Sequence, residues 1–392
     1  MTKIDFLYFD AGGGHRAAAT ALKAVIDQKE AGEQKRPWEI RLVNLQEILG
    51  SLDVFRKVTG LELQEIYNQM LARGWTLGSA QGLKFMHGVI RLYHRPAVRL
   101  LEKHWAATQP EMVVSLVPNF NRALFESLRA ALPKVPYVTI LTDLADYPPH
   151  FWMEKQEQFL ICGSDKAVGQ ARALGYTGDR IFRASGMILR PGFYQPVTVD
   201  RSAERRRLGL DPDRPTGLVL FGGQGSKVML EIAERLDDTQ LILICGKNAK
   251  LADRLRALAA RAPRFVEGFT SEIPYYMSLA DFFIGKPGPG SISEAVAMGL
   301  PVIVERNMWT LPQERYNADW VLERNAGLVV PNFRGIRGGV EELLRDLSRY
   351  RTAVTQIHNR AVFEIPEILE TILSSPVRSR AGAIPNATKI AP

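Results

Sequence analysis

The sequence predicts an α/β protein with two doubly wound, Rossmann-like parallel sheets that face a cleft. Short apolar runs alternate with stretches of helical pattern along most of the 392 residues, and strands separated by such helices indicate parallel sheets. A stretch rich in proline, glycine and charge at 190–216 separates these runs into two series. The length fits two domains at roughly 100–200 residues each.

The first series is predicted as an N-terminal domain over 1–195, with a helical insert at 51–105. Its first strand, at 4–9, leads into a helix at 16–29. The further strands are predicted at 113–116, 138–141, 159–162 and 181–184.

The second series follows a linker at 196–215 and is predicted as a C-terminal domain over 216–350. A C-terminal helix at 351–373 is expected to pack back on the first domain, and the tail at 374–392 to be disordered. The strands are predicted at 217–221, 241–245, 264–267, 282–285 and 301–305, and the helices at 228–236, 251–262 and 291–298.

Composition excludes several protein classes. Hydrophobic residues make up 46% of the chain and charged residues 23%, which is typical of a globular protein and not of a disordered or collagen-like one. Asp5 and Asp10 interrupt any signal-peptide core, and the two cysteines, Cys162 and Cys245, lie in apolar runs, so a cytoplasmic location is expected. The net charge of +8 (50 minus 42) favours anionic partners.

The first glycine loop, Asp10-Ala-Gly-Gly-Gly-His15-Arg, lies between the first strand and its helix. Its glycines allow close approach of a ligand, and the helix N-terminus offers free N–H groups. Gly12, Gly14 and Ala17 also fit a dinucleotide pattern, which leaves an oxidoreductase as an alternative. A dinucleotide site also needs an acidic residue at the end of the second strand. None is clear here, because Glu33 and Glu39 lie in a polar stretch. His15 is predicted to face the cleft.

Two further glycine loops lie between strands and helices of the second series, at 222–226 and 286–294. The first, Gly222-Gly-Gln-Gly-Ser226, suits a diphosphate held by backbone N–H groups. In the second, Ser291 and Glu294 have capping-box spacing, although the carboxylate could instead accept two ribose hydroxyls. Gln313, Glu314 and Asn317 follow the next strand and could hydrogen-bond a sugar.

Together these motifs resemble the family 28 glycosyltransferases of the GT-B fold. The similarity is greatest to monogalactosyldiacylglycerol synthases and bacterial diacylglycerol glycosyltransferases, and MurG is more distant. The shared motifs occur in family order over roughly residues 4–330: Gly-Gly-Gly-His15-Arg, Gly222-Gly-Gln-Gly225, Gly268-Phe-Thr, Lys286-Pro-Gly-Pro-Gly-Ser-Ile-Ser-Glu294-Ala and Gln313-Glu314-x-x-Asn317.

The resemblance implies that the C-terminal domain at 216–350 binds a UDP-sugar donor and that the N-terminal domain at 1–195 binds the acceptor. It also implies a role for each matching residue. Glu294 would hold the ribose, Gly268 and Phe269 the uracil, and Gln313 and Glu314 the sugar hydroxyls. The acceptor side would include Gly13 and Gly14 beside His15. The diphosphate would lie against Gly222, Gly223, Gly225, Ser226 and Ser291, with Gly288 and Gly290 setting the turn beneath it.

The implied reaction is an inverting transfer of a hexose to a lipid acceptor such as diacylglycerol, with His15 or Asp143 as the base. No metal or other cofactor is expected, because glycine-loop amides and helix N-termini can stabilise the leaving diphosphate. Asp211-Pro-Asp213 is interpreted as a turn. In the family a His follows the Thr-Asp pair by five residues; here that position is Pro148, and the nearest His is His150.

The insert at 51–105 carries eight Lys or Arg against four acidic residues, with aromatic residues between them. Such a stretch suits an anionic membrane surface, and Trp75, Arg91, Arg95 and Arg99 are predicted to contact it on the inner face of the cell membrane. Nucleic acid is not an expected partner, because no DNA-binding motif appears. A MurG-type transferase and a UDP-sugar epimerase remain alternatives.

Overall fold

The computed structural model describes residues 1–10, 14–30, 38–50 and 94–375. The first half forms a six-stranded, fully parallel sheet with the order β2-β1-β3-β4-β5-β6. Its elements are β1 (Thr2–Tyr8), α1 (Gly14–Glu30), β2 (Trp38–Asn44), α2 (Leu45–Leu49), α3 (His94–Thr108), β3 (Met112–Ser115), α4 (Asn121–Ala131), β4 (Tyr137–Ile140), β5 (Phe159–Cys162), α5 (Asp165–Ala173) and β6 (Ile181–Arg183).

The second half forms another six-stranded parallel sheet, with the order β12-β11-β10-β7-β8-β9. Its elements are α6 (Arg201–Arg207), β7 (Thr216–Leu220), α7 (Val228–Arg235), β8 (Gln240–Ile244), α8 (Ala249–Ala257), β9 (Arg264–Glu267), α9 (Ile273–Ser278), β10 (Phe282–Gly285), α10 (Pro289–Ala297), β11 (Val302–Glu305), α11 (Arg315–Glu323), β12 (Gly327–Val330), α12 (Ile336–Arg345), α13 (Leu347–Thr355) and α14 (Ala361–Ser374). The predicted α/β class with two doubly wound sheets is confirmed.

The last helix belongs to the core of the first sheet. Ile365 and Leu369 of α14 are buried in the same apolar cluster as Phe6 of β1 and Leu22 of α1. The segment 351–373, predicted as one helix, is instead divided between α13 and α14, with residues 356–360 between them. The chain therefore passes between the two halves twice.

The two passages lie side by side. The backbone N–H of Arg360 donates to Oγ of Ser185 at 2.7 Å, and Nδ2 of Asn359 donates to the carbonyl of Met187 at 2.8 Å. A Cβ atom on Gly186 would lie 2.6 Å from the Asn359 side chain, so only glycine permits this close approach.

The segment 196–215, predicted as a linker, contains α6 and is fixed to the second sheet. Asp281 accepts hydrogen bonds from Arg201 at 2.8 Å and from Arg205 at 2.6 Å, as well as from the N–H of Thr216 and from Arg351 of α13. Arg205 and Asp281 are both buried, which indicates a compensated charge cluster.

Candidate functional site

Both sheets reverse their strand order at the loops that carry the predicted motifs. In the first sheet the reversal lies between β1 and β3, and in the second between β7 and β10. Ligands of open α/β sheets bind at the carboxyl ends of the strands at such points. The His15 loop follows β1, and the loops at 222–226 and 286–294 follow β7 and β10.

His15 lies in the first turn of α1, next to the ends of β3 and β4. Its Nδ1 atom forms a hydrogen bond of 3.1 Å with Oγ1 of Thr142, and its ring centroid lies 5.8 Å from that of Trp152. Burial lowers the pKa of His15 to about 4, against the opposing effect of a hydrogen bond to the backbone of Leu116. The imidazole is therefore neutral at pH 7.

Asp143 follows β4 and is buried, with only 8% of its surface exposed. Burial raises its pKa to about 7, although Nε1 of Trp152 donates a hydrogen bond of 2.9 Å to Oδ2. Asp146 accepts hydrogen bonds from the backbone N–H groups of His150 and Trp152 and so fixes this loop. The ring of His150 is exposed and bonds the carbonyl of Met153.

The third glycine loop places an ion pair at the carboxyl end of β10, a central strand of the second sheet. Nζ of Lys286 lies 2.8 Å from Oε1 of Glu314. Nδ2 of the buried Asn317 donates to the carbonyl of Pro287 at 2.8 Å, which holds the loop against α11. The Oε1 atom of Gln313 is buried and accepts no hydrogen bond from the described residues, and such atoms commonly mark an absent ligand or water.

The capping-box interpretation of Ser291 and Glu294 is wrong. The N-cap of α10 is Gly288, which makes no side-chain cap, so both residues lie inside the helix, and Gly290 lies in its exposed first turn. Burial raises the pKa of Glu294 to about 7, and the charge of Arg190 partly opposes this shift. No described group donates a hydrogen bond to this carboxyl, which leaves it available to a ligand.

The second glycine loop has the backbone geometry that only glycine adopts easily. Gly222 and Gly225 have φ values of 73° and 62°, and a Cβ on Gly225 would lie 2.6 Å from the carbonyl of Cys245. Gly223 accepts a hydrogen bond from the N–H of Lys247, and Oγ of Ser226 caps the N–H of Val228. The loop is therefore anchored on both sides.

The predicted uracil-binding pair follows β9. Gly268 donates its N–H to the side chain of Glu267 at 2.8 Å. Phe269 is 66% exposed, and Nζ of Lys247 lies 5.4 Å from its ring centroid. An exposed aromatic ring at a strand end offers a stacking surface for a base.

The two halves adjoin at these residues. Glu314 and Lys286 of the second half act electrostatically on Asp143 of the first, where Glu314 raises and Lys286 lowers its pKa. Arg324 also forms a 3.0 Å ion pair with Asp165 across the cleft. The structure thus brings Asp143 and His15 toward the third glycine loop of the other half.

The site contains two residues to which sequence reasoning assigned no role. Trp152 joins Asp143 to His15, and no local signal marked it. Lys286 belongs to one of the shared motifs, but the sequence analysis gives it no separate role. A lysine inside a glycine-proline loop is nevertheless a signal for anion binding. The position that would carry the acidic residue of a dinucleotide site, the end of β2, is Asn44, which instead caps α2.

Some predicted residues lie outside the described ranges: Gly13, Trp75 and Arg91. Of the other membrane candidates, Arg95 and Arg99 are exposed on α3, on the side opposite the buried Ala97, Leu101 and Trp105. Among the described helices, none combines the length and apolar character that a bilayer crossing requires. Asp211 and Asp213 form a turn in which the N–H of Asp213 donates to Asp211.

Comparison with known sequences finds a family match in the second half of the chain. Residues 218–361 match the glycosyltransferase family 28 C-terminal domain. The chain is 27% identical over 366 residues to monogalactosyldiacylglycerol synthase 1 of Arabidopsis thaliana, with 83% of this chain and 61% of the relative covered. For the synthase of Spinacia oleracea the identity is 26%, with 83% and 63% covered. The chain thus spans about three fifths of these relatives.

Comparison with solved structures supports the fold. MurG of Acinetobacter baumannii superposes with a TM-score of 0.60 at 11% identity, covering 95% of this chain and all of that one. A UDP-GlcNAc 2-epimerase from Neisseria meningitidis gives 0.58 at 14% identity, with the same coverage. The fold is therefore GT-B, and the resemblance predicted from the motifs is confirmed, because residues 218–361 match the C-terminal domain of glycosyltransferase family 28.

Proposed function

We propose that this protein is an inverting glycosyltransferase that moves a hexose from a UDP-sugar to a lipid acceptor, with diacylglycerol as that acceptor. The family 28 domain and the names of the relatives support this proposal. The observation that carries it is that Lys286 and Glu314 of the second half lie close enough to Asp143 of the first to act on its charge. This arrangement would join a proton acceptor of one half to a loop of the other half that suits an anion.

The donor would bind the second half, at the carboxyl ends of β7 and β10. Glu294 would accept hydrogen bonds from the ribose, and Phe269 would stack on the uracil. The backbone at Gly222–Ser226 and the first turn of α10 would hold the diphosphate. Gln313 and Glu314 would accept hydrogen bonds from sugar hydroxyls.

The acceptor would approach from the first half. Its hydroxyl oxygen forms a bond to the anomeric carbon from the face opposite the diphosphate, and the hydroxyl proton passes to His15 or Asp143. The bond from the anomeric carbon to the diphosphate oxygen breaks, and its electron pair leaves with UDP. Attack from the opposite face inverts the anomeric configuration.

We propose that the leaving UDP is stabilised without a metal. Backbone N–H groups of the glycine loop and the positive end of α10 would face the diphosphate as its charge develops. We expect activity to persist in excess chelator, and a loss restored by Mg²⁺ would contradict this part of the proposal.

We further propose that the first half docks on the inner face of an anionic membrane through the segment around α3. Arg95 and Arg99 are one helical turn apart and exposed, so both guanidinium groups point to the same side. A lipid acceptor would then enter the cleft directly from the bilayer surface.

The test is to incubate the purified full chain with labelled UDP-galactose, UDP-glucose or UDP-N-acetylglucosamine and vesicles that contain diacylglycerol. We expect one labelled glycolipid, with its anomeric configuration opposite to that of the donor. Epimerised donor without acceptor would instead indicate an epimerase, and transfer only to a polyprenyl-linked sugar would indicate MurG-type activity. His358→Ala serves as the control variant in the activity assays, because this histidine is exposed.

A further inference from the structure

The ion pair between Lys286 and Glu314 is open to the cleft on the lysine side. Nζ of Lys286 lies 2.8 Å from Oε1 of Glu314, and the side chains are 42% and 11% exposed. The carboxylate side chain is thus largely buried, whereas the lysine side chain is partly exposed toward the cleft.

The lysine stem crosses the turn that begins α10. A Cβ atom built on Gly288 would lie 3.3 Å from Cε of Lys286 and 3.8 Å from Oε1 of Glu314. Gly288 is the N-cap of the nine-residue α10 and provides no side-chain acceptor. The ammonium therefore shares its surroundings with the free N–H groups of the helix start, and the two positive features add.

We propose that Lys286 is the cation that binds the diphosphate of the donor, and that Glu314 holds it in place while the site is empty. The inference rests on the proposed use of a nucleoside diphosphate sugar and adds a residue to it. On binding, the ammonium exchanges the carboxylate of Glu314 for a phosphate oxygen. The released carboxylate then accepts hydrogen bonds from hydroxyls of the sugar.

The chemistry favours this exchange. The ammonium is partly exposed, so solvent screens part of its attraction to the carboxylate, whereas hydrogen bonds from an ammonium to phosphate oxygens are strong and charge-assisted. When the bond to the sugar breaks, the diphosphate gains negative charge, and a fixed cation stabilises that state more than the bound donor. Lys286 also acts on Asp143, which places it at the side of the cleft where the proton is accepted.

The test compares UDP with uridine, because the two ligands differ only in the diphosphate. Isothermal titration calorimetry on the full chain measures UDP directly, and displacement of UDP measures uridine. We expect Lys286→Met to weaken UDP binding at least tenfold and to leave uridine binding within twofold. Lys286→Arg is expected to recover most of the loss. The matched control is Lys134→Met, since Lys134 is exposed in the connection between α4 and β4.

A second variant distinguishes two roles of Lys286, binding of the diphosphate and pairing with Glu314. In Glu314→Gln the ammonium loses its charged partner, and we expect UDP binding to stay equal or to tighten. Unchanged UDP binding in Lys286→Met, or an equal loss for UDP and uridine, would overturn the role of Lys286. Absence of UDP binding in the unmodified protein would instead overturn the proposed function itself.

Discussion

Burial acts in opposite directions on the two titratable side chains that face the cleft from the first sheet. It lowers the pKa of His15 to about 4 and raises that of Asp143 to about 7, because a low-dielectric environment penalises whichever form is charged. At neutral pH the imidazole is therefore an uncharged base, and the carboxyl titrates within the working range. Both groups meet the protonation requirement of a general base.

Replacing His15 by alanine is expected to lower turnover by about 10²–10⁴-fold, the usual contribution of a positioned acid–base group. Donor affinity should change little, because His15 lies on the first half and the donor loops on the second. Steady-state kinetics with the lipid acceptor, together with UDP calorimetry, make the comparison, and His358→Ala is the control. Turnover within a few-fold of the unmodified enzyme would remove His15 from the chemistry.

The pH profile of kcat/KM distinguishes the two candidate bases. If Asp143 accepts the proton, activity falls as pH drops through about 7, because the carboxyl becomes protonated and can no longer accept. Asp143→Asn would abolish that limb along with most of the activity. A limb near 4 that disappears in His15→Ala would assign the proton to the imidazole instead.

Replacing Glu294 by glutamine is expected to weaken UDP binding about tenfold, because each hydrogen bond to a charged group contributes about 1.5–3 kcal/mol and the amide is a weaker acceptor. The structure gives Glu294 no capping role that the substitution would disturb. Calorimetry with UDP makes the measurement, and the exposed Glu341→Gln is the control. Equal UDP affinity in both variants would place the ribose elsewhere.

At the scale of single elements, the sequence predicts the central strands and two of the four edge strands, β6 and β9, and misses the other two. Strands such as β5 and β10 are continuous apolar runs, because both faces are covered, and they were located exactly. β2 and β12, which end their sheets, were missed. β2 contains Arg41, whose charge resembles a polar loop until its 2.6 Å pairing with the buried Asp5 of β1 is known.

The helix α6 provides an element-scale prediction through Asp281. Asp281→Asn should lower the free energy of unfolding by about 3–5 kcal/mol, because it leaves the buried Arg205 without its carboxylate. Chemical denaturation makes the measurement, with the exposed Asp253→Asn as the control. Stability unchanged relative to that control would show that the cluster contributes little.

The pH dependence of the same cluster has a definite sign. Burial raises the pKa of Asp281, but hydrogen bonds and the charges of Arg201 and Arg205 outweigh it, so the net pKa is lowered from 3.8. A lowered pKa means that the stabilisation is complete above the unfolded value and is lost as pH falls below it. The difference between Asp281→Asn and the unmodified protein should therefore shrink on acidification.

At the scale of the whole molecule, the motifs predict a cleft between two sheets, but which residues approach each other across it could not be read from them. The glycine loops are local signals, since each follows an apolar strand and precedes a helix. The approach of Asp143 to Lys286 and Glu314 depends on how two separate sheets pack, and those residues are more than 140 positions apart. Pairing across such a separation is tertiary information.

Membrane docking is tested on the full chain by sedimentation with anionic vesicles. Changing Arg91, Arg95 and Arg99 together to glutamate should greatly reduce the bound fraction, because each basic residue near an anionic surface contributes about 1 kcal/mol. The control is a second triple variant that changes net charge by the same amount. In it, three other exposed arginines, Arg172, Arg206 and Arg254, are changed to glutamate. Equal loss in both triples would indicate a general charge effect and no specific face.

The neighbouring passages at Ser185 and Arg360 restrict how the two halves can move relative to each other. The two connections between the halves lie side by side and are joined by hydrogen bonds. Rotation of one sheet relative to the other about this place, the pivot, would leave the distances between atoms there nearly constant. Displacement grows with distance from that axis. Two spin labels placed on either half beside the pivot should give the same separation with and without nucleotide. Two labels placed on either half at the far rim of the cleft should give a separation that changes when nucleotide binds.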